Sequence, residues 1–160
     1  MIKAEDMTNS IATLPLLGWR EWVALPNLNI DQLKAKVDTG ARSSALHAFA
    51  IDPYRKNGER WVMFALHPQQ RNSDLIIECH APVKDRRIVT DSGGHKQRRY
   101  VIETPIIIGS SVISAEMTLT NRDSMLFRML LGRTTLNSRF MINPANSYLQ
   151  GSPTRQKCLP

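Results

Sequence analysis

Apolar residues along this chain come in short runs that alternate with polar ones and stop at turn-forming residues, a rhythm of strands rather than helices. Gly18 to Leu25 carries aromatic and β-branched residues and ends at Pro26-Asn27, which predicts a strand followed by a turn. Leu33 to Val37 alternates apolar and basic, a strand with one wet face, and runs directly into Asp38-Thr39-Gly40-Ala41. Trp61 to Leu66 and Leu75 to Cys79 read as strands, with residues 52–60 and 67–74 as the loops beside them. Arg86 to Thr90 and Arg98 to Glu103 flank Asp91-Ser92-Gly93-Gly94, a strong hairpin signal. Ile106 to Ile108 and Val112 to Thr120 form a further pair around Gly109-Ser110-Ser111, and Phe140 to Ile142 reads as a last strand. The single helical pattern is short, Thr134 to Asn137, directly after Leu130-Leu131-Gly132-Arg133.

Many short strands, one brief helix and no βαβ rhythm predict an all-β barrel or sandwich. Its expected bounds are residues 17–150, between a loosely ordered arm over 1–16 and a tail over 151–160. At 160 residues the chain is one domain long, and no internal repeat or second-domain boundary is visible.

Composition adds a sign to this picture. The net charge is +7, and 14 arginines stand against 7 lysines. That excess points to an anionic partner, and arginine's fixed fork suits carboxylate and phosphate alike. Two cysteines make no disulfide framework, so a reducing cytoplasm is the expected setting. Ile11 to Trp19 is too short, and broken by Pro15, to read as a secretory signal, and no apolar run is long enough for a membrane helix.

The chemistry lies in Asp38-Thr39-Gly40. A carboxylate that activates water must stand at the end of a rigid element, close to a second group that holds the counter-proton. A strand ending in Asp-Thr-Gly supplies such a carboxylate, and the glycine lets the backbone turn and donate an N–H towards it. Two such carboxylates packed together share one proton, so that one acts as base on water while the other polarises a carbonyl. The tripeptide alone is weak. Its context raises it: a period-2 strand before, Ala41 after, and a hydrophobic-hydrophobic-Gly-Arg motif about 90 residues on.

With these motifs the chain resembles the retropepsin-like aspartic proteases, in which Asp-Thr-Gly-Ala pairs with a later hydrophobic-hydrophobic-Gly-Arg. It is similar in particular to a bacterial branch labelled as an ATP-dependent zinc protease and associated with RimK-type ligases that add glutamates to a ribosomal protein. Gly18-Trp19-Arg20-Glu21, residues 34–42, Ser92-Gly93-Gly94-His95, residues 119–122 and residues 127–134 carry the likeness. The resemblance implies a closed acid-protease barrel, functional as a homodimer, in which the second motif threads beneath the catalytic loop and supports it. It implies Asp38, Thr39 and Gly40 as the catalytic triplet and Ser92, Gly93 and Gly94 as the tip of a flap. It also implies an acidic or glutamate-tailed peptide as substrate, a ribosomal protein among its sources.

The branch label's metal and nucleotide have no residues to hold them. There is no His-Glu-x-x-His and no phosphate-binding Gly-x-x-x-x-Gly-Lys loop, and His47, His67, His80 and His95 lack ligand spacing. No cofactor and no metal are expected. Asp91-Ser92-Gly93 is a tempting second triplet, but it lies in a hairpin turn without a supporting motif of its own. The second carboxylate is therefore expected from Asp38 of another copy. Arg42, Arg128 and Arg133 flank the two motifs, Arg98 and Arg99 stand on the flap, and these are the candidate substrate-binding arginines; for each, a solvated or structural role weighs about evenly. Two rival functions remain: a dimeric module that binds acidic tails without cutting, and a basic ribosome- or RNA-surface binder. The 6% aromatic content and the lack of an RNA motif count against the latter, and a membrane partner is not expected.

Overall fold

The period-2 segments do become strands, and the ring they close is what positions the Asp-Thr-Gly loop. The computed structural model describes residues 13–122 and 124–153. In chain order the strands are β1 (Leu16–Leu17), β2 (Arg20–Leu25), β3 (Ile30–Val37), β4 (Ser44–Ala48), β5 (Ala50–Lys56), β6 (Glu59–Leu66), β7 (Ile77–Pro82), β8 (Asp85–Thr90), β9 (Lys96–Ile108), β10 (Ser111–Asn121), β11 (Met129–Leu131) and β12 (Met141–Ile142). A 3-10 turn covers Pro26–Leu28, and among the described residues one α-helix, α1, covers Arg133–Leu136. The main sheet runs β10-β4-β11-β3-β2-β9-β8, and β9 also pairs with β10, closing six strands into a barrel with β8 outside the ring. This is the all-β retropepsin-like barrel expected, with one short helix among the described residues.

Inside the ring lies a continuous apolar core. Leu25, Leu33, Leu46, Phe64, Ile102, Ile106, Met117 and Leu119 are fully enclosed. Each buried Leu, Ile or Phe contributes about 1.5–3 kcal/mol relative to exposure, so the core is ample for a chain without a staple. A separate sheet, β5-β6-β7, packs its inner face (Val62, Phe64, Cys79, Ala81) onto this core. β1 and β12 pair in parallel, Leu16 opposite Met141 and Leu17 opposite Ile142, so the expected arm overlaps β1 at its last residue. The rest of that arm, up to residue 12, and the tail from residue 154 lie outside the described residues.

β1 and β11 are short strands absent from the sequence reading, and three further elements differ from it. Residues 52–60 are not a loop: they form most of the hairpin β5–β6, turning at Asn57-Gly58, both at positive φ. Most of β5 is exposed and so lacks an apolar signal, and its Pro53 is tolerated because β5 is the edge of its sheet. Ile106 to Ile108 is not a separate strand but the end of β9, which continues through Pro105 opposite Ser114. β4 is absent from the sequence reading because Ser-Ala-Leu-His-Ala has neither alternation nor β-branching. It is a strand because it is clasped between β10 and β11.

One buried charge ties the ends together. Glu21 is fully enclosed, and its carboxylate accepts backbone N–H bonds from Gly18 (2.7 Å), Leu149 (3.0 Å) and Gln150 (3.0 Å). Truncation would strand three inward-facing donors, each at roughly 1–3 kcal/mol. Glu21→Ala is therefore expected to lower stability by about 3 kcal/mol or more, read from chemical denaturation midpoints.

Candidate active site

Asp38 is the first residue past β3, and its loop is held from three sides. The Asp38 N–H donates to the Leu131 carbonyl (2.9 Å), Ala41 N–H donates to the Asp38 carbonyl (3.2 Å), and Gly40 N–H donates to Asp38 Oδ1 (3.0 Å). The glycine thus donates its backbone N–H to the carboxylate, as the motif's chemistry requires. Asp38 is half-buried, while Thr39 and Gly40 are exposed in the single chain.

The support comes from β11, which lies between β3, to which it is parallel, and β4, to which it is antiparallel. Beyond it the chain passes beneath the Asp38 loop at Gly132. A Cβ there would stand 2.4 Å from the carbonyl carbon of Ser43 and 2.5 Å from its oxygen. Gly132 N–H donates to Ser44 Oγ (3.0 Å), which is bonded in turn to Thr135 Oγ1 (2.6 Å) in a fully buried pair. The first N–H groups of α1 also find acceptors in the loop: Arg133 donates to the Ala41 carbonyl and Thr134 to the Arg42 carbonyl, both at 2.9 Å. Arg133 Nη1 adds a bond to the Thr39 carbonyl at 3.1 Å, which makes its guanidinium a brace for the loop. Arg42 is exposed beside it. The two motifs therefore lock each other through backbone and hydroxyl bonds.

The glycine-rich turn joins β8 to β9. Asp91 Oδ1 accepts the N–H groups of Gly93 and His95, each at 2.9 Å, and Asp91 Oδ2 pairs with Arg122 Nη2 at 2.8 Å. The backbone N–H bonds, with Arg122 next, hold the Asp91 carboxyl down at about 2. Asp91 is thus an ionised fastener of the turn, joined to the segment after β10. Ser92, Gly93 and Gly94 are exposed at the tip, Gly94 at φ +82°.

The arginines separate into two settings. Arg98 is exposed, on the opposite side of β9 from its neighbour Arg99. Arg128 is buried, its Nε donating to the His67 carbonyl at 3.0 Å and its Nη1 to the Met125 carbonyl. Arg99, expected beside Arg98 on the glycine-rich hairpin, is buried too, bonded to Gln97 Oε1 (3.2 Å) and Thr118 Oγ1 (3.5 Å). Between them on β4 sits His47, 3% exposed, with neither ring nitrogen hydrogen-bonded.

Burial, with Arg99, Arg122 and Arg128 pressing in the same direction, pushes the His47 imidazole down to about 4. The unfolded chain, titrating near 6.5, takes up a proton between these values that the folded chain refuses, so stability falls as pH falls through that window. The expected loss between pH 7 and 4 is about 3 kcal/mol, against a background that includes Asp91, the carboxylate paired with Arg122. His47→Gln should flatten the pH dependence of the denaturation midpoint; an unchanged slope would show that other groups set it.

Among the described residues no group of three or more His, Cys, Asp or Glu is placed to hold a metal. Cys79 is buried, its thiol pushed up to about 12 by burial and Glu78 and directed at the Leu28 carbonyl (3.6 Å), and His80 Nδ1 is bonded to the Tyr54 hydroxyl (2.8 Å). No helix among the described residues is long and apolar enough to cross a membrane.

Residues 16–153, which include both motifs and the turn between them, match the model of the RimB-like family, described as retropepsin-like aspartic endopeptidase RimB. The chain belongs to that family. Similar curated proteins include a probable alpha-L-glutamate ligase of Shewanella pealeana, 43% identical over 136 residues, and one of Desulfotalea psychrophila, 40% identical over 141 residues. These matches cover 85% and 88% of this chain but 30% of each relative, so the chain spans under a third of their length. A crystal structure of a protein of unknown function from Legionella pneumophila superposes with a TM-score of 0.70 at 26% identity, covering 85% of this chain and 98% of that one. In this RimB-like chain the clamp around Gly132 was legible as a motif. His47 was not, and nothing in the pattern set Arg99 apart from Arg98, because what distinguishes the two is burial with polar atoms left open.

Proposed function

We propose that this chain is one half of an aspartic peptidase, with Asp38 from each of two copies meeting at a two-fold axis. The observation that carries this is the Asp38 loop: a carboxylate at a strand end, bonded to its own loop and braced by Gly132, Arg133 and the Ser44–Thr135 pair. Each protomer has one such loop among the described residues, and the nearest alternative, Asp91, is committed to the flap turn and Arg122. A dyad therefore needs a second copy.

The dyad would share one proton. The ionised carboxylate takes a proton from water as its oxygen attacks the peptide carbonyl, while the protonated one donates to the carbonyl oxygen. Transfer of a proton to the leaving nitrogen then accompanies C–N cleavage, and the shared proton is restored. The substrate would be an acidic or glutamate-rich peptide, for which the charge of +7 and the exposed Arg42 and Arg98 are suited. The names of the relatives agree with this, since a glutamate ligase makes the kind of tail that such a peptidase would shorten. On this reading the natural substrate is a glutamate-tailed protein, a ribosomal protein among the candidates, and the setting is cytoplasmic.

The test is to incubate the chain with a glutamate-rich peptide and map new termini by mass spectrometry, with Asp38→Asn as control. At dilute concentrations the rate should rise with the square of the chain concentration, as an active dimer requires. Intact peptide with the parent chain, or equal cleavage by Asp38→Asn, would sink the reading. Binding without cleavage by parent and variant alike would instead favour the acidic-tail binding module.

A further inference from the structure

The cluster around His47 holds hydrogen-bonding capacity that the described residues do not use. Arg99 is 9% exposed, yet among the described residues no carboxylate lies in ion-pair reach of it, and its bonds use only Nε and Nη1. A buried guanidinium ordinarily has an anionic or fully hydrogen-bonded partner. Thr120, 1% exposed, has a hydroxyl with no partner, and both nitrogens of His47 are likewise unbonded. Buried polar atoms left open are rare, and three such atoms on neighbouring residues call for an explanation.

These groups share one face of the barrel wall. His47 is the register partner of Thr120, and Ala45 is that of both Thr118 and Leu130. Side chains of paired strand residues stand on the same side, so Leu130, Ala45, Thr118, Thr120 and His47 form one continuous strip. Arg99 reaches into that strip from β9 through Thr118, and Arg122, tied to Asp91 of the flap turn, borders it. The strip leads away from the Asp38 loop. Ser44 is bonded to the Gly132 that braces that loop, and three residues along β4, about 10 Å, lies His47. An extended peptide advances by about the same rise per residue, so a side chain two or three residues from a bond held over Asp38 would arrive at this cluster.

We propose that Arg99, His47, Thr118, Thr120 and Arg122 form a recessed pocket that receives one side-chain carboxylate of the peptide substrate and selects glutamate at that position. This rests on the acidic-peptide reading above and names the residues that would read it. A carboxylate has the acceptors the cluster lacks: it can take the Arg99 fork bidentately and the Thr120 hydroxyl as well. The neutral His47 donates from one ring nitrogen; burial first, and then the charges of Arg99, Arg122 and Arg128, keep it neutral, and a carboxylate would balance those charges.

The test uses the full chain carrying Asp38→Asn, so that peptide stays intact, and measures hexaglutamate binding by calorimetry. Arg99→Met should weaken binding by about 10- to 100-fold, the range for a lost charged hydrogen bond. Thr120→Val, isosteric and fold-preserving, should weaken binding by about tenfold while leaving the melting temperature unchanged or raised, because it removes an unsatisfied buried hydroxyl. A merely structural role would move both readouts downwards together. In a scan of single Glu→Gln peptides, one position should lose affinity for the parent and lose nothing further for Arg99→Met. The pocket is overturned if both variants bind like the parent, if every glutamate matters equally to parent and Arg99→Met, or if hexaglutamate does not bind. It is overturned as a carboxylate site if a phosphoserine peptide of the same length binds more tightly. Pocket-dependent binding by the Asp38→Asn chain, with no cleavage by the unmutated one, keeps the pocket and removes the peptidase reading. Cleavage at the parent kcat/KM by Arg99→Met and Thr120→Val does the reverse.

Discussion

Asp38→Asn is expected to reduce kcat on an acidic peptide by about 10⁴-fold or more, with the melting temperature and the dimer's sedimentation unchanged. The scale follows from what the proposed dyad would do: it would supply both the base for water and the acid for the carbonyl, and removing a member of such a unit forfeits nearly all of its contribution. Retention of fold follows from the geometry. The bond that the loop needs from this side chain is acceptance of the Gly40 N–H at Oδ1, and an asparagine carbonyl oxygen accepts it equally well. The Leu131, Ala41 and Asp38 backbone bonds are untouched. Steady-state kinetics set beside analytical ultracentrifugation separate the outcomes. A fall in kcat with an intact dimer assigns the chemistry to Asp38. Retained activity would place it elsewhere, and loss of the dimer would mean that Asp38 acts in assembly.

Gly132→Ala is the second large effect, and it should act on the fold before it acts on chemistry. The added methyl would lie 2.4 Å from a backbone carbon and 2.5 Å from a backbone oxygen of Ser43, neither of which can rotate away. Separating them means parting the Asp38 loop from β11, with loss of the Gly132–Ser44 bond and strain on the Ser44–Thr135 pair. Overpacking of this kind costs about 1–3 kcal/mol, and the loss of buried hydrogen bonds adds about as much again. A destabilisation of about 3 kcal/mol or more is expected, visible in urea or thermal unfolding. Leu130, half-buried on the same segment, offers the contrast: Leu130→Ala should cost less, because it removes partly exposed atoms and forces no backbone apart. Equal losses at the two positions would show that the segment works as apolar filling and that its close backbone approach is incidental.

What could be read from the chain depended on whether a residue's role is local. The strand into Asp38, the turn at Asp91 to Gly94 and the Leu-Leu-Gly-Arg run are short-range patterns, and all three appear at or within a few residues of the places expected. β4 and β5 were invisible for the opposite reason. Neither has an apolar period, and each is a strand only because a neighbour supplies its hydrogen bonds. Pro105 misled in the same way, since a proline reads as a break until its N-side proves to need no ladder partner.

The sequence by itself determined the strand-rich class, the placement of one carboxylate at a strand end, and the glycine that the supporting motif demands. These follow from side-chain period and from the steric needs of single residues. Only the tertiary structure decided which charges are compensated. It assigned Asp91 to the turn between β8 and β9 and to Arg122, Arg133 to the loop it braces, and Arg128 to backbone carbonyls, and it left Arg99, His47 and Thr120 enclosed with polar atoms open. Charge and hydrogen-bonding capacity belong to a residue, but whether they are satisfied depends on what the closed barrel places within about 3 Å of them.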